Sequence, residues 1–296
     1  MQDSIPPIGS DDAFRDVEIW DEEQARYWTD ALNQRAAAPD QVALRVHLLK
    51  HSGMKSGDTV LELGCGTGRL LSDLARATGA SGRAFGLEPQ PSFAKEAERF
   101  ILEQELAAMT RVLSGRAEEI PLPDASVDLC VAQTVLIHIP TGLLARVFSE
   151  VKRVLKPGGR FISVDQDGDT WTIDHPQRAV TRRVVQFNSD YRYADGWTGR
   201  YLRRLFRQSG FEEVPNQVWT QSETERGSYL YAMACRIAQS AAEHGALSPD
   251  ECKEWLHELD AQSQEGNFFS SIGYFCCQGR KSTMDRALGD QNQGGE

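Results

Sequence analysis

The run VLELGCGTGR (60–69) is the part of this chain most shaped for chemistry. A short apolar stretch leads into Gly64, Gly66 and Gly68, and a helical period follows. Glycines in such a turn permit positive φ and let a ligand lie against bare backbone at the carboxyl end of a sheet. Twenty residues beyond Gly68, Glu88 closes the next apolar run. An acid at that point accepts hydrogen bonds from the ribose hydroxyls of a nucleoside ligand. The plainer alternative is a cap on the helix that opens at Pro89 or Pro91. The dinucleotide fingerprint G-x-G-x-x-G would need its third glycine at position 69, which is Arg69. A nicotinamide-dependent oxidoreductase is therefore the weaker alternative.

Other reactive types are spaced less tellingly. His47 and His51 stand four apart on a helix, but no third ligand accompanies them, so no metal is expected. Cys65, Cys130, Cys235, Cys252, Cys276 and Cys277 form no CxxC pair, which points to a reduced, cytoplasmic chain. Arg200, Arg203, Arg204 and Arg207 share one helix face. They are either solvated and acid-paired or a contact for an anionic group. The 32 Lys and Arg against 43 Asp and Glu give a net charge of −11, which argues against nucleic acid as partner. The segment MQDSIPPIGSDDAF lacks the basic and apolar regions of a signal peptide. No apolar stretch reaches the roughly 20 residues of a membrane span.

Elements that must position these residues follow from periodicity. Helical patterns cover about 16–37, 39–51, 69–78, 91–107, 141–155, 198–209, 226–243 and 249–264. Strand-like runs cover 59–64, 83–88, 111–115, 127–132, 160–165, 211–223 and 268–280. Pro215 within the sixth run suits an edge or a bulge. Strands alternating with 10–15-residue helices indicate crossover units and a parallel sheet covered on both faces. Residues 1–54 are expected as an amino-terminal helical lid, 55–281 as one domain with a helical insertion at 223–265, and 282–296 as a flexible tail.

The segments VLELGCGTGRL (60–70), GLEPQPSFAKEA (86–97), GRAEEIPLPDASVDLCVAQTVLIHI (115–139) and EVKRVLKPGGRFISVD (150–165) resemble class I S-adenosylmethionine-dependent methyltransferases. The likeness is to the branch of ubiquinone- and menaquinone-biosynthesis enzymes, and it covers about residues 55–165. It implies an α/β, doubly wound Rossmann-like sheet of seven strands, mostly parallel with the last antiparallel. It also implies S-adenosylmethionine as cofactor. Gly64, Cys65, Gly66 and Gly68 would pack against its methionine and ribose parts, with Glu62 orienting that region. Glu88 would bind the ribose hydroxyls, with Pro89 and Gln90 close behind. Arg116, Ala117 and Glu118 would flank the adenine. Many relatives carry Asp where Arg116 stands, and arginine cannot accept a hydrogen bond, so Glu118 or backbone must do so. Gln133 would offer its carbonyl to the cofactor's ammonium, and LKPGG (155–159) would be a helix-ending turn. Trp20, Tyr27 and Trp28 lie on a helix that in relatives folds over the cofactor.

Methyl transfer from a sulfonium is a direct displacement, and alignment supplies up to roughly 7–11 kcal/mol of it. Where the acceptor must lose a proton, a base adds about 10²–10⁴-fold. His138, after the fourth strand, and Asp165 or Asp167, ending the fifth, are the candidates. Each has an ordinary structural alternative. Trp171, Tyr191, Tyr193 and Trp197 crowd the segment after the fifth strand and suit a planar or apolar small-molecule acceptor. Tyr193 is the aromatic residue chosen as a catalytic candidate. A non-catalytic cofactor-binding protein is the alternative from another class. Oligomeric state and the identity of the acceptor are not legible.

Overall fold

The apolar run TVLEL forms β1 (Thr59–Leu63), buried from Val60 onward. A central parallel strand lies between two helical layers, so both its faces must be apolar. The computed structural model describes residues 12–14 and 20–283. β2 (Arg83–Glu88), β3 (Thr110–Ser114), β4 (Val127–Gln133) and β5 (Leu155–Gln166) join β1 in a parallel sheet ordered 3-2-1-4-5. Beyond β5 come β6 (Thr172–Ile173), β7 (Asn216–Glu223) and β8 (Ser270–Arg280). β8 runs antiparallel to β5 and pairs with β7 on its other edge. The seven expected strands are present, and the two-residue β6 adds an eighth beside β8.

The period of two along β1 sends its residues to two cores. Val60 joins one cluster with Leu71, Leu74, Met233 and Trp255. Leu61 and Leu63 join the other with Phe148, Phe161 and Phe206. Phe161 stacks on Phe206 at 4.9 Å, and Phe148 meets both edge-on.

Nine helices are described: α1 (Glu22–Ala37), α2 (Pro39–His51), α3 (Arg69–Thr78), α4 (Pro91–Glu103), α5 (Thr141–Val154), α6 (Arg178–Tyr191), α7 (Thr198–Gln208), α8 (Tyr229–Glu243) and α9 (Pro249–Gln264). α1 starts later than periodicity suggests because Asp21 caps it in a reciprocal pair with Gln24. Residues 16–19 of the expected helix lie outside the described residues, as do 284–296 of the expected tail. α6 was not expected, although Val180, Val184 and Phe187 are buried along one of its faces. α4 stops four residues early, where Glu105 takes φ +59°. β7 begins only after Pro215, which has no N–H to give a ladder. LKPGG belongs to β5, and the register with β4 slips between Val127 and Leu129 to accommodate it.

Candidate active site

One cavity lies at the carboxyl ends of β1, β2 and β4, the place where doubly wound sheets bind ligands. Its floor is the glycine turn. Gly64 has φ +58°, and a Cβ there would sit 2.7 Å from Val135 Cγ2. Gly66 follows with its amide hydrogen donated to Glu88 Oε2 at 2.8 Å. Glu88 Oε1 accepts from the Gln90 N–H at 3.0 Å. Both carboxylate oxygens are thereby oriented at the cavity wall. Glu62 lines the same wall, 4% exposed, and its Oε2 has no hydrogen-bond partner. Burial, then the neighbouring Glu88, pushes the Glu62 carboxyl well above the usual range. Pro89, Arg116, Ala117 and Glu118 complete this side.

The roof is built by helical period. Trp28, Ala31, Leu32, Arg35 and Ala36 recur at three- and four-residue spacing on α1, and all five line the cavity. Tyr229, Met233, Arg236 and Ile237 do the same from α8. At the mouth Phe14 packs on Trp28 at 4.9 Å and on His138 at 4.6 Å.

His138 lines the cavity from the short turn Leu136–His138 after β4. Its Nδ1 lies 2.9 Å from Oδ1 of Asp12, a carboxylate 8% exposed. A carboxylate can only accept, so Nδ1 is the donor in this contact and Nε2 is the nitrogen turned away from Asp12. Across the site the Tyr193 hydroxyl donates to Gln166 Oε1 at 3.1 Å, and Gln166 Nε2 donates to the Tyr274 hydroxyl at 2.6 Å. Burial raises the pKa of the Tyr193 hydroxyl, so it stays a neutral donor.

Gln133 is held through a buried chain of amides. Its Nε2 donates to Gln41 Oε1, and Gln41 Nε2 donates to Gln221 Oε1, each at 2.8 Å. The chain passes from Gln221 to Glu223, which accepts from the Leu230 N–H in the first turn of α8. The Gln133 carbonyl already accepts from Thr134 Oγ1 at 2.6 Å, so one lone pair is left for a ligand. Thr134 has φ +56°, a conformation rare outside glycine.

Several sequence candidates stand elsewhere. Asp165 does not line the cavity: its side chain is fully buried and accepts from the Ile137 N–H at 3.2 Å and Ser163 Oγ at 2.9 Å. Asp167 is spent on an ion pair with Arg200, which also holds Asp169. Tyr27 is 46% exposed and turned off the lining face of α1. Gly68 caps α3 and packs on α4, while Gln90 caps α4 by accepting from the Ser92 N–H; neither lines the cavity. Trp171 is buried against Ser270, and Trp197 is exposed beneath Arg200. His47 meets Gln217, and no group of three metal-binding side chains is found among the described residues. Sequence reasoning missed Asp12, Arg35, Gln41, Gln166, Asn188 and Arg236. For Arg35, Gln41, Asn188 and Arg236 the only signal was helical spacing, while Asp12 and Gln166, off the helices, had none.

Residues 61–163 match the family described as "Methyltransferase domain". An uncharacterised 37.1 kDa protein in transposon TN4556 of Streptomyces fradiae is 30% identical over 244 residues, 81% of this chain and 68% of that one. The demethylmenaquinone methyltransferase of Lactobacillus johnsonii is 27% identical over 198 residues, 62% of this chain and 80% of that one. The crystal structure of the YcgJ protein from Bacillus subtilis superposes with a TM-score of 0.55 at 20% identity, covering 80% of this chain and 97% of that one. At that identity the likeness speaks for the fold.

Proposed function

Because this chain belongs to the class I S-adenosylmethionine-dependent methyltransferases, we propose that it methylates a small molecule held between the glycine turn and the α1–α8 roof. The cofactor, when bound, supplies a methyl group on a positively charged sulfur. The residues present fit such a group. Glu62 and Glu88 place two carboxylates at the glycine turn, one with an unpartnered oxygen. The turn offers backbone without side chains in the way. Glu88 would hold the ribose hydroxyls, and Glu62 would face the cationic end. Ala117 and Glu118 would flank the adenine, with Arg116 at the rim.

His138 is the general base in this reading. Asp12 fixes its tautomer, so Nε2 can take a proton from the acceptor, and the same carboxylate then stabilises the imidazolium. Tyr193 is a positioning donor in this reading, held in place by Gln166. α1, α8 and Phe14 cover the site and exclude water, which strengthens each of these interactions. The demethylmenaquinone methyltransferase relative has, by its name, a small molecule as acceptor, which supports the same class here. The observation that carries the proposal is the Glu88 carboxylate, fixed on the Gly66 amide in the cavity that also holds the His138–Asp12 pair. Transfer of a labelled methyl from S-adenosylmethionine into a small-molecule extract tests it. Label found only in protein or nucleic acid would reject it.

A further inference from the structure

The lining of the cavity is divided by charge. Its acids, Glu62, Glu88 and Glu118, stand on the sheet side around the glycine turn and the end of β3. The opposite wall, from α1, the end of α6 and α8, carries Arg35, Arg192 and Arg236 with no acid among them. In a chain of net charge −11 this is not the average distribution. Arg45, Arg69 and Arg116 also reach the cavity; Arg116 stands on the acidic side beside Glu118, Arg45 is paired with Asp73, and Arg69 lies over Phe100 and donates to Asn33.

Arg236 is built into its place. Its guanidinium carbon lies 5.5 Å from the Trp28 ring, 5.9 Å from Tyr229 and 6.0 Å from Tyr27. Three rings orient the planar fork and leave its charge uncancelled. Nε is buried without a hydrogen-bond partner. Neither Arg35 nor Arg236 has an ion-pair partner among the described residues. Asn188, 0% exposed, lines the same wall and faces the Tyr193 hydroxyl. A buried donor left as Arg236 Nε is left is costly unless a ligand satisfies it. Arg35 and Arg236 line the same cavity from α1 and α8, which pack on each other.

We propose that Arg35 and Arg236, with Asn188 beside them, bind an oxyanion of the methyl acceptor, a carboxylate or a phosphate. The acceptor is then an anion whose charged end points toward α8 and whose reactive end points toward His138. This deepens the methyltransferase reading and depends on it. An arginine fork meets a carboxylate or phosphate through two parallel N–H donors, and Asn188 supplies a further amide donor. The arrangement separates the two ligands by charge: the cationic cofactor faces Glu62 and Glu88, and the anionic acceptor faces the arginines.

The test uses the full chain saturated with S-adenosylhomocysteine and calorimetric titration with three probes: benzoate, phenyl phosphate and neutral benzamide. At least one anion should bind about tenfold more tightly than benzamide, and the better anion tells carboxylate from phosphate. Arg236→Gln and Arg35→Gln should each remove most of that preference, while Arg236→Lys keeps part of it. Affinity for S-adenosylhomocysteine should stay the same in all three variants, which shows that they are folded. Benzamide binding as tightly as both anions, no binding of either anion, or a preference surviving in the double glutamine variant would overturn the proposal. Failure of the unaltered protein to bind S-adenosylhomocysteine would instead remove the methyltransferase reading itself.

Discussion

Glu88 Oε2 accepts the Gly66 amide hydrogen at 2.8 Å, so the acid that ends β2 is held against the glycine turn that ends β1. The two strands are neighbours in parallel register, Glu62 opposite Gly86 and Leu63 opposite Leu87. That register brings two signals 22 residues apart in the chain to one point.

Replacing Glu88 by alanine removes the hydrogen bonds of a charged acceptor, worth about 1.5–3 kcal/mol each. Affinity for S-adenosylhomocysteine should fall by about ten- to a hundredfold or more, with glutamine between the two. Titration calorimetry measures this. Unchanged affinity in the alanine variant would show that the carboxylate serves only the Gly66 and Gln90 amides.

His138→Asn should lower kcat by about 10²–10⁴-fold if the acceptor must lose a proton. Asp12→Asn should have a smaller effect on kcat, because the imidazole stays but its tautomer is no longer fixed. Neither change should weaken cofactor binding. Single-turnover assays with labelled methyl groups separate these effects, and full activity in both variants would leave alignment as the sole device.

Asp165 offers a test by pH. Burial pushes its carboxyl up to about 7, the Ile137 N–H and Ser163 hydroxyl only partly countering this. An unfolded aspartate titrates near about 3.9, so between those values the native state holds a proton that the unfolded chain has lost. The stability this group contributes is full below about pH 4 and is lost as pH rises through about 7. Asp165→Asn keeps an acceptor for Ile137 and a donor for Ser163 and does not titrate. Thermal melts at pH 5 and pH 8 should show the variant gaining on the natural chain at the higher pH. A constant difference would contradict the assignment.

Gly68→Ala should destabilise without touching the ligand. Gly68 has φ +80°, and an added Cβ would lie 3.0 Å from the Ala97 Cα on α4. The left-handed conformation costs about 1–2 kcal/mol, and overpacking adds about 1–3 kcal/mol. A melting temperature equal to that of the natural chain would mean that α3 and α4 separate freely.

The glycine turn, Glu88 and the parallel sheet were legible because local spacing encodes them: turn residues, strand period and the acid at a strand end are all short-range. The roof was only half legible. A helix was evident over about residues 16–37, but not its rotation. The face carrying Trp28, Leu32 and Arg35 turned inward and left Tyr27 outside. Asp165 misled because a strand-end acid can point either way, and the neighbouring turn donates the Ile137 N–H to it. Its successor Gln166 took the cavity position. α6 was hidden by its polar composition. The Asp12–His138 pair spans 126 residues, a separation that no local pattern records.

The most direct measurement is titration of the purified full chain with S-adenosylmethionine, S-adenosylhomocysteine and NADH. Saturable binding of the first two, with none of the third and with loss of affinity in Glu88→Ala, is the expected result. Binding of NADH instead, or of none of the three, would contradict the assignment of this cavity to methyl transfer.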